Sequence, residues 1–165
     1  MRHLLSLLVL VALPACGSSD PKELTSDGYT ALNSGRFRAA LADFEDALAA
    51  IGTDTAHAEY IHARLGRVEA RIRIDPEAAR EDFLALVETH PSALGDREYS
   101  MIGGKFANAN ALRDAIVVLD TGMKAQKQAG NETALLAKLL ARIKEDAERA
   151  GDSGALGDLE SLGYL

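Results

Sequence analysis

Tryptophan is absent from this chain, cysteine occurs once, and the aromatic residues are limited to four Phe and four Tyr in 165 residues. With one cysteine no intramolecular disulfide can form, whichever compartment the chain enters. Few aromatics and almost no stretch that alternates with period two argue against a β-sandwich. No run of Lys or Arg is present and the formal charge is −7, which argues against a nucleic-acid partner. Disorder is excluded from the other side, because 47% of the residues are apolar. The length suits one helical domain with its own core.

What is present in quantity is Ala and Leu at helical spacing. Residues 35–48, GRFRAALADFEDAL, read as a turn and one amphipathic helix, with Ala40, Phe44 and Ala47 on one face and Leu41 and Leu48 widening it. Arg38, Asp43, Glu45 and Asp46 lie off that stripe. The +4, +3 spacing returns at Ala79, Phe83, Leu86 and at Ala115, Leu119, Gly122, so the first members stand 39 and 36 residues apart. Each copy follows another apolar helical segment and a short break. A helix–turn–helix repeated at about this period is the pattern of an α-solenoid.

The repeats resemble the tetratricopeptide family, whose pattern runs Leu-Gly-x-x-Tyr, Ala-x-x-x-Phe, Pro. Residues 21–52 carry Leu24, Gly28, Ala40, Phe44 and Ala47 of it, with Ala31 where an aromatic is usual; residues 59–91 carry Leu65-Gly66, Ala79, Phe83, Leu86 and Pro91; residues 96–125 carry Tyr99, Ile102-Gly103, Phe106, Ala115, Leu119 and Gly122. The resemblance implies an all-α fold: a short right-handed solenoid of about three repeats over residues 20–165, closed by a C-terminal helix.

The N-terminus carries a second resemblance. Met1-Arg2-His3 is a short basic start, residues 4–13 are apolar apart from one Ser, and Leu13-Pro14-Ala15-Cys16 follows. Ten residues are too few to span a bilayer and suit a signal-peptide core. The junction resembles the cleavage site of bacterial lipoproteins, with the chain's one cysteine as the acylated residue. It implies a signal peptide over residues 1–15, lipidation of Cys16, and a tether of residues 17–19 that spans roughly 10 Å when extended. Gly17 in place of Asp favours the outer membrane, facing the periplasm, if the host has two membranes. An ordinary secretory signal is the alternative.

Helix boundaries are marked. Asp20-Pro21-Lys22-Glu23 and Asp75-Pro76-Glu77 each place a capping Asp before Pro at the first helical position. The pattern predicts helices over about 21–33, 36–50, 56–73, 76–89, 95–108, 111–128 and 132–150, the last the longest and begun by a capping Asn131. A short helix at Leu156, Leu159 and Leu162 follows, and the Tyr164-Leu165 tail either folds back on helix seven or docks elsewhere.

No constellation for catalysis emerges. Gly151-Asp152-Ser153-Gly154 matches a protease nucleophile by letters, but a helical chain offers no placement for its partners, and a helix-ending loop explains it. Gly103-Gly104-Lys105 lacks the spacing of a phosphate loop, and close helix packing explains at least one of its glycines. His57 and His62, five apart, cannot share a metal as an i, i+4 pair would, and His90 stands alone. Asn131-Glu132-Thr133 fits a glycosylation acceptor but serves better as a cap. The expectation is a protein that is not an enzyme, without cofactor or metal.

Binding is a different matter. Arg64, Arg67 and Arg71 share one helix face inside an acidic protein, and a planar guanidinium fork suits carboxylates. In tetratricopeptide proteins the first helix of each pair lines a groove for peptides. That resemblance implies Tyr29, Asn33, Arg64, Arg67, Arg71, Arg97, Ser100 and Asn108 as groove residues. The other reading of the stripe is a solvated face balanced by Glu and Asp from the next helix, such as Glu77 or Glu81. The expected function is a lipid-anchored adaptor for a protein or peptide at the cell envelope; the alternative is a helical binder of a small or apolar molecule.

Overall fold

The computed structural model describes residues 20–165, so residues 1–15, Cys16 and the tether lie outside the described residues. The described chain is all helical and repeat-like. Its helices are α1 (Pro21–Asn33), α2 (Phe37–Ile51), α3 (Tyr60–Ile72), α4 (Pro76–Thr89), α5 (Asp96–Asn108), α6 (Leu112–Gln128), α7 (Ala134–Ala150) and α8 (Ser153–Ser161), with a 3₁₀ turn at Pro91–Ala93.

The capping residues act as their spacing predicts. The Asp20 carboxylate accepts the Lys22 N–H at 3.0 Å and the Asp75 carboxylate accepts the Ala78 N–H at 3.1 Å. Asp152 does the same for α8, accepting from Ala155 N–H at 3.0 Å, while Gly151 closes α7 in the left-handed region at φ 66°. The Gly-Asp-Ser-Gly stretch is therefore a stop and a start.

Two boundaries and one relative length differ from expectation. The third helix begins at Tyr60 instead of near residue 56, because the preceding residues form side-chain turns. Ala56 N–H donates to Asp54 Oδ1 at 3.1 Å and Glu59 N–H to His57 Nδ1 at 3.1 Å. Local polar side chains here compete successfully with the helix. Helix seven begins behind Thr133, and Asn131 does not cap it; its amide donates to Gln126 Oε1 at 2.7 Å. At 17 residues α7 is matched in length by α6.

Packing builds two layers. Along one layer α1 touches α3, α3 touches α5 and α5 touches α7; along the other α4 touches α6 and α6 touches α8. Close approach depends on missing side chains. Phe44 is fully buried with Gly28 of α1 and Gly66 of α3 against its ring; a Cβ at Gly28 would stand 2.7 Å from Cε1, and one at Gly66 would be closer still. Gly103 admits Leu119 and Gly122 admits Tyr99 in the same way. A small cluster around Phe44 holds Ala31, Leu32, Ala40 and Ala70, and a larger one runs from Leu65 through Phe83, Tyr99 and Phe106 to Leu159.

Candidate functional site

The arginine stripe of α3 points at neighbouring helices. Asp82 of α4, whose side chain is 6% exposed, receives Arg64 Nη2 at 3.2 Å, Arg67 Nε at 2.8 Å and Arg71 Nη1 at 3.5 Å. Arg71 Nη2 also reaches Glu45 of α2 at 3.0 Å, and Arg64 Nη1 donates to the Tyr60 hydroxyl at 2.8 Å. The arginine side chains retain only 14, 22 and 24% of their exposure. This is a partly buried charge cluster, so the picture of a solvated face is corrected. The balancing acids are Asp82 and Glu45, whereas Glu77 pairs with Arg80 at 3.5 Å and Glu81 is exposed. A carboxylate out of water needs such partners.

The other expected groove residues divide between two places. Tyr29 donates to the His62 carbonyl at 3.1 Å and sets its ring edge-on to Phe44 at 4.9 Å, which ties α1 to α3. Burial raises its phenol pKa, and the charges of Glu69 and Glu59 raise it further. Glu69, 6% exposed, is paired with Lys105 of α5 at 2.7 Å. Asn33 and Arg97 are exposed. Ser100 and Asn108 turn toward α7, and Asn108 Oδ1 accepts from Arg142 Nη2 at 3.4 Å.

Between α5 and α7 lies a cleft of about 620 Å³ bordered by Ser100, Gly104, Leu135, Lys138, Leu139 and Arg142. A Cβ at Gly104 would make only an ordinary contact, with Leu139 Cδ2 at 3.9 Å. Leu135 is 50% exposed, a large apolar side chain left facing water. Lys138 and Arg142 stand above it with Glu145. Such a surface can hold an apolar side chain between charged edges of both signs.

By helical spacing alone Leu135, Leu136, Leu139, Leu140, Ile143 and Ala147 make one stripe. The buried line is Leu136, Leu140, Ile143 and Ala147. Leu135 and Leu139 each precede that line by one residue, about 100° round the helix. The stripe is wider than one packed face needs, and that width was the available signal.

The histidines serve local structure. His57 accepts from the backbone, His90 lies 5.2 Å from the Tyr60 ring, and His62 is exposed. Among the described residues no group of three His, Cys, Asp or Glu side chains is placed to hold a metal, and no helix is long and apolar enough to cross a membrane.

Comparison of the chain with protein families, with curated proteins and with solved structures gives no match.

Proposed function

We propose that this chain is a lipid-anchored, tetratricopeptide-like adaptor that captures a protein or peptide partner in the cleft between α5 and α7. In this reading the layer of α1, α3, α5 and α7 is the inner face of a short right-handed solenoid, and α7 with α8 closes its last repeat. The order of helix contacts supports it, since the first helix of each pair touches the first helix of the next.

The observation that carries the reading is Leu135, half-exposed beside Leu139 and flanked by Lys138 and Arg142. The cleft is open along one side, which favours a chain segment over an enclosed small molecule. Acylation of Cys16 would hold the adaptor at the membrane, and no bond is made or broken in the capture itself.

The two halves of the proposal are tested separately. A photo-crosslinking residue at Leu135 is expected to trap one discrete protein partner in intact cells, with the same probe at exposed Ala49 of α2 as control. Identical adducts from both positions would contradict the cleft. Acyl label is expected in the unaltered protein and lost in Cys16→Ala; label retained in that variant would contradict the anchor.

A further inference from the structure

A second cationic surface lies where the turn from α1 to α2 meets the end of α3. Arg36, Arg38 and Arg73 are exposed there, and Phe37 and Ile74 lie between them. Among the described residues none of these arginines has an ion-pair partner. The Arg73 guanidinium sits 5.3 Å from the Phe37 ring centroid, which fixes it without neutralising it. Ile74 is 40% exposed. The acids nearest in the chain are otherwise engaged or set back. Asp75 gives its carboxylate to the Ala78 N–H. Asp43 feels Arg36 only as a minor influence, since burial first and then Asp27 and Asp46 raise its pKa.

We propose that Arg36, Arg38 and Arg73, with Phe37 and Ile74 among them, form a docking surface that seats this end of the helical domain on anionic lipid headgroups. The argument is charge complementarity. In a chain of net charge −7, three guanidiniums gathered from the start of α2 and the end of α3, without ion-pair partners among the described residues, make a local surface of opposite sign. Arginine's planar donor fork matches phosphate oxygens. Ile74, 40% exposed, and the part of Phe37 left outside the Phe44 cluster add apolar surface beside the charges. The opening beside them, of about 570 Å³, would present the same charges to a soluble acidic partner, and that occupant is an outcome of the test. The docking does not depend on Cys16. If both operate, α1, about 20 Å long, would lie along the bilayer.

The test is co-sedimentation of the full chain with phosphatidylcholine vesicles, with and without phosphatidylglycerol. The unaltered chain is compared with Arg36→Gln/Arg38→Gln/Arg73→Gln and with the corresponding triple Lys variant. The N-terminal apolar run is common to every arm, so differences report the patch. Each basic residue near an anionic surface contributes about a fivefold gain in partitioning, so the Gln variant is expected to bind anionic vesicles about 100-fold more weakly. Its binding to neutral vesicles is expected to stay unchanged, and the Lys variant to remain close to the unaltered chain. The salt series on the unaltered chain reads the same term without substitution, with anionic selectivity vanishing near 1 M. Anionic binding unaffected by the Gln substitutions, or selectivity that survives high salt, would overturn the proposal. So would a Gln variant that keeps its vesicle affinity and instead loses an acidic protein from a pull-down.

Discussion

Two sets of three arginines sit on this molecule, and they have opposite fates. Arg64, Arg67 and Arg71 follow helical spacing on α3 and converge on Asp82, with Glu45 closing the far side. Arg36, Arg38 and Arg73 share no helical stripe, come from the start of α2 and the end of α3, and among the described residues meet no acid in an ion pair. The regular set looks like a binding stripe in sequence and is internal structure. The irregular set forms no stripe on one helix and presents its charge to solvent. Whether a cation is available to a ligand is decided by carboxylates on other elements, and spacing along one helix does not report them.

The sharpest way to break this contrast is Asp82→Ala. It leaves three partly buried guanidiniums around a lost counter-charge and is expected to cost about 3 kcal/mol, the low end for removing one side of a buried ion pair because the arginines keep some water. Urea denaturation followed by circular dichroism measures it. A loss under about 1 kcal/mol would mean the cluster is effectively solvated.

Gly66→Ala tests how the inner set is assembled. Its Cβ would enter the Phe44 ring, so α3 must move away from α2, and Arg71 must then part from Glu45. Overpacking of this kind costs about 2 kcal/mol. Unaltered stability would show that the close approach is not needed.

The smallest effect concerns a third buried acid. Asp120 is 7% exposed and is covered by Lys124 at 2.7 Å and by the Tyr164 hydroxyl at 3.0 Å, so the tail folds back over α6. Burial, then the hydrogen bond and charge of Asp120, push the Tyr164 pKa up to about 12 from an ordinary value of 10.0. The folded protein thus favours the neutral phenol. Its contribution is complete below pH 10.0 and fades as pH rises through about 12, and Tyr99 and Tyr29, both raised chiefly by burial, act with the same sign. Tyr164→Phe is expected to lose about 1 kcal/mol at neutral pH, measured by urea denaturation. It should also show a shallower loss between pH 10 and 12 in a pH-resolved melt; an unchanged alkaline slope would contradict the assignment.

Much of the helical fold could be read before the structure. Asp20-Pro21 and Asp75-Pro76 start helices as the local rules require, and the recurring small–aromatic–small spacing located Phe44 and Phe83 in the core. These are short-range signals set by capping and periodicity. Other features depend on contacts distant in sequence. Helical spacing puts Asp82 on the Ala79, Phe83, Leu86 face and Glu81 on the opposite one, but the Asp82 partner Arg67 stands 15 residues away on another helix, and the pairing has no local signal. The outward cluster had a weaker signal. Arg36 and Arg73 are 37 residues apart, close to the spacing at which the helical pattern recurs in the sequence, and they line one opening. Leu135 was hidden by its own apolarity, because a stripe of leucines reads as core until the packed line is known.

The most direct measurement sets the two triple variants side by side in urea denaturation. Arg64→Gln/Arg67→Gln/Arg71→Gln leaves Asp82 buried without its counter-charges and is predicted to lose at least about 3 kcal/mol. Arg36→Gln/Arg38→Gln/Arg73→Gln alters exposed side chains and is predicted to stay within about 0.5 kcal/mol of the unaltered chain. Equal losses, or the reverse order, would contradict the division of these arginines into internal structure and free surface.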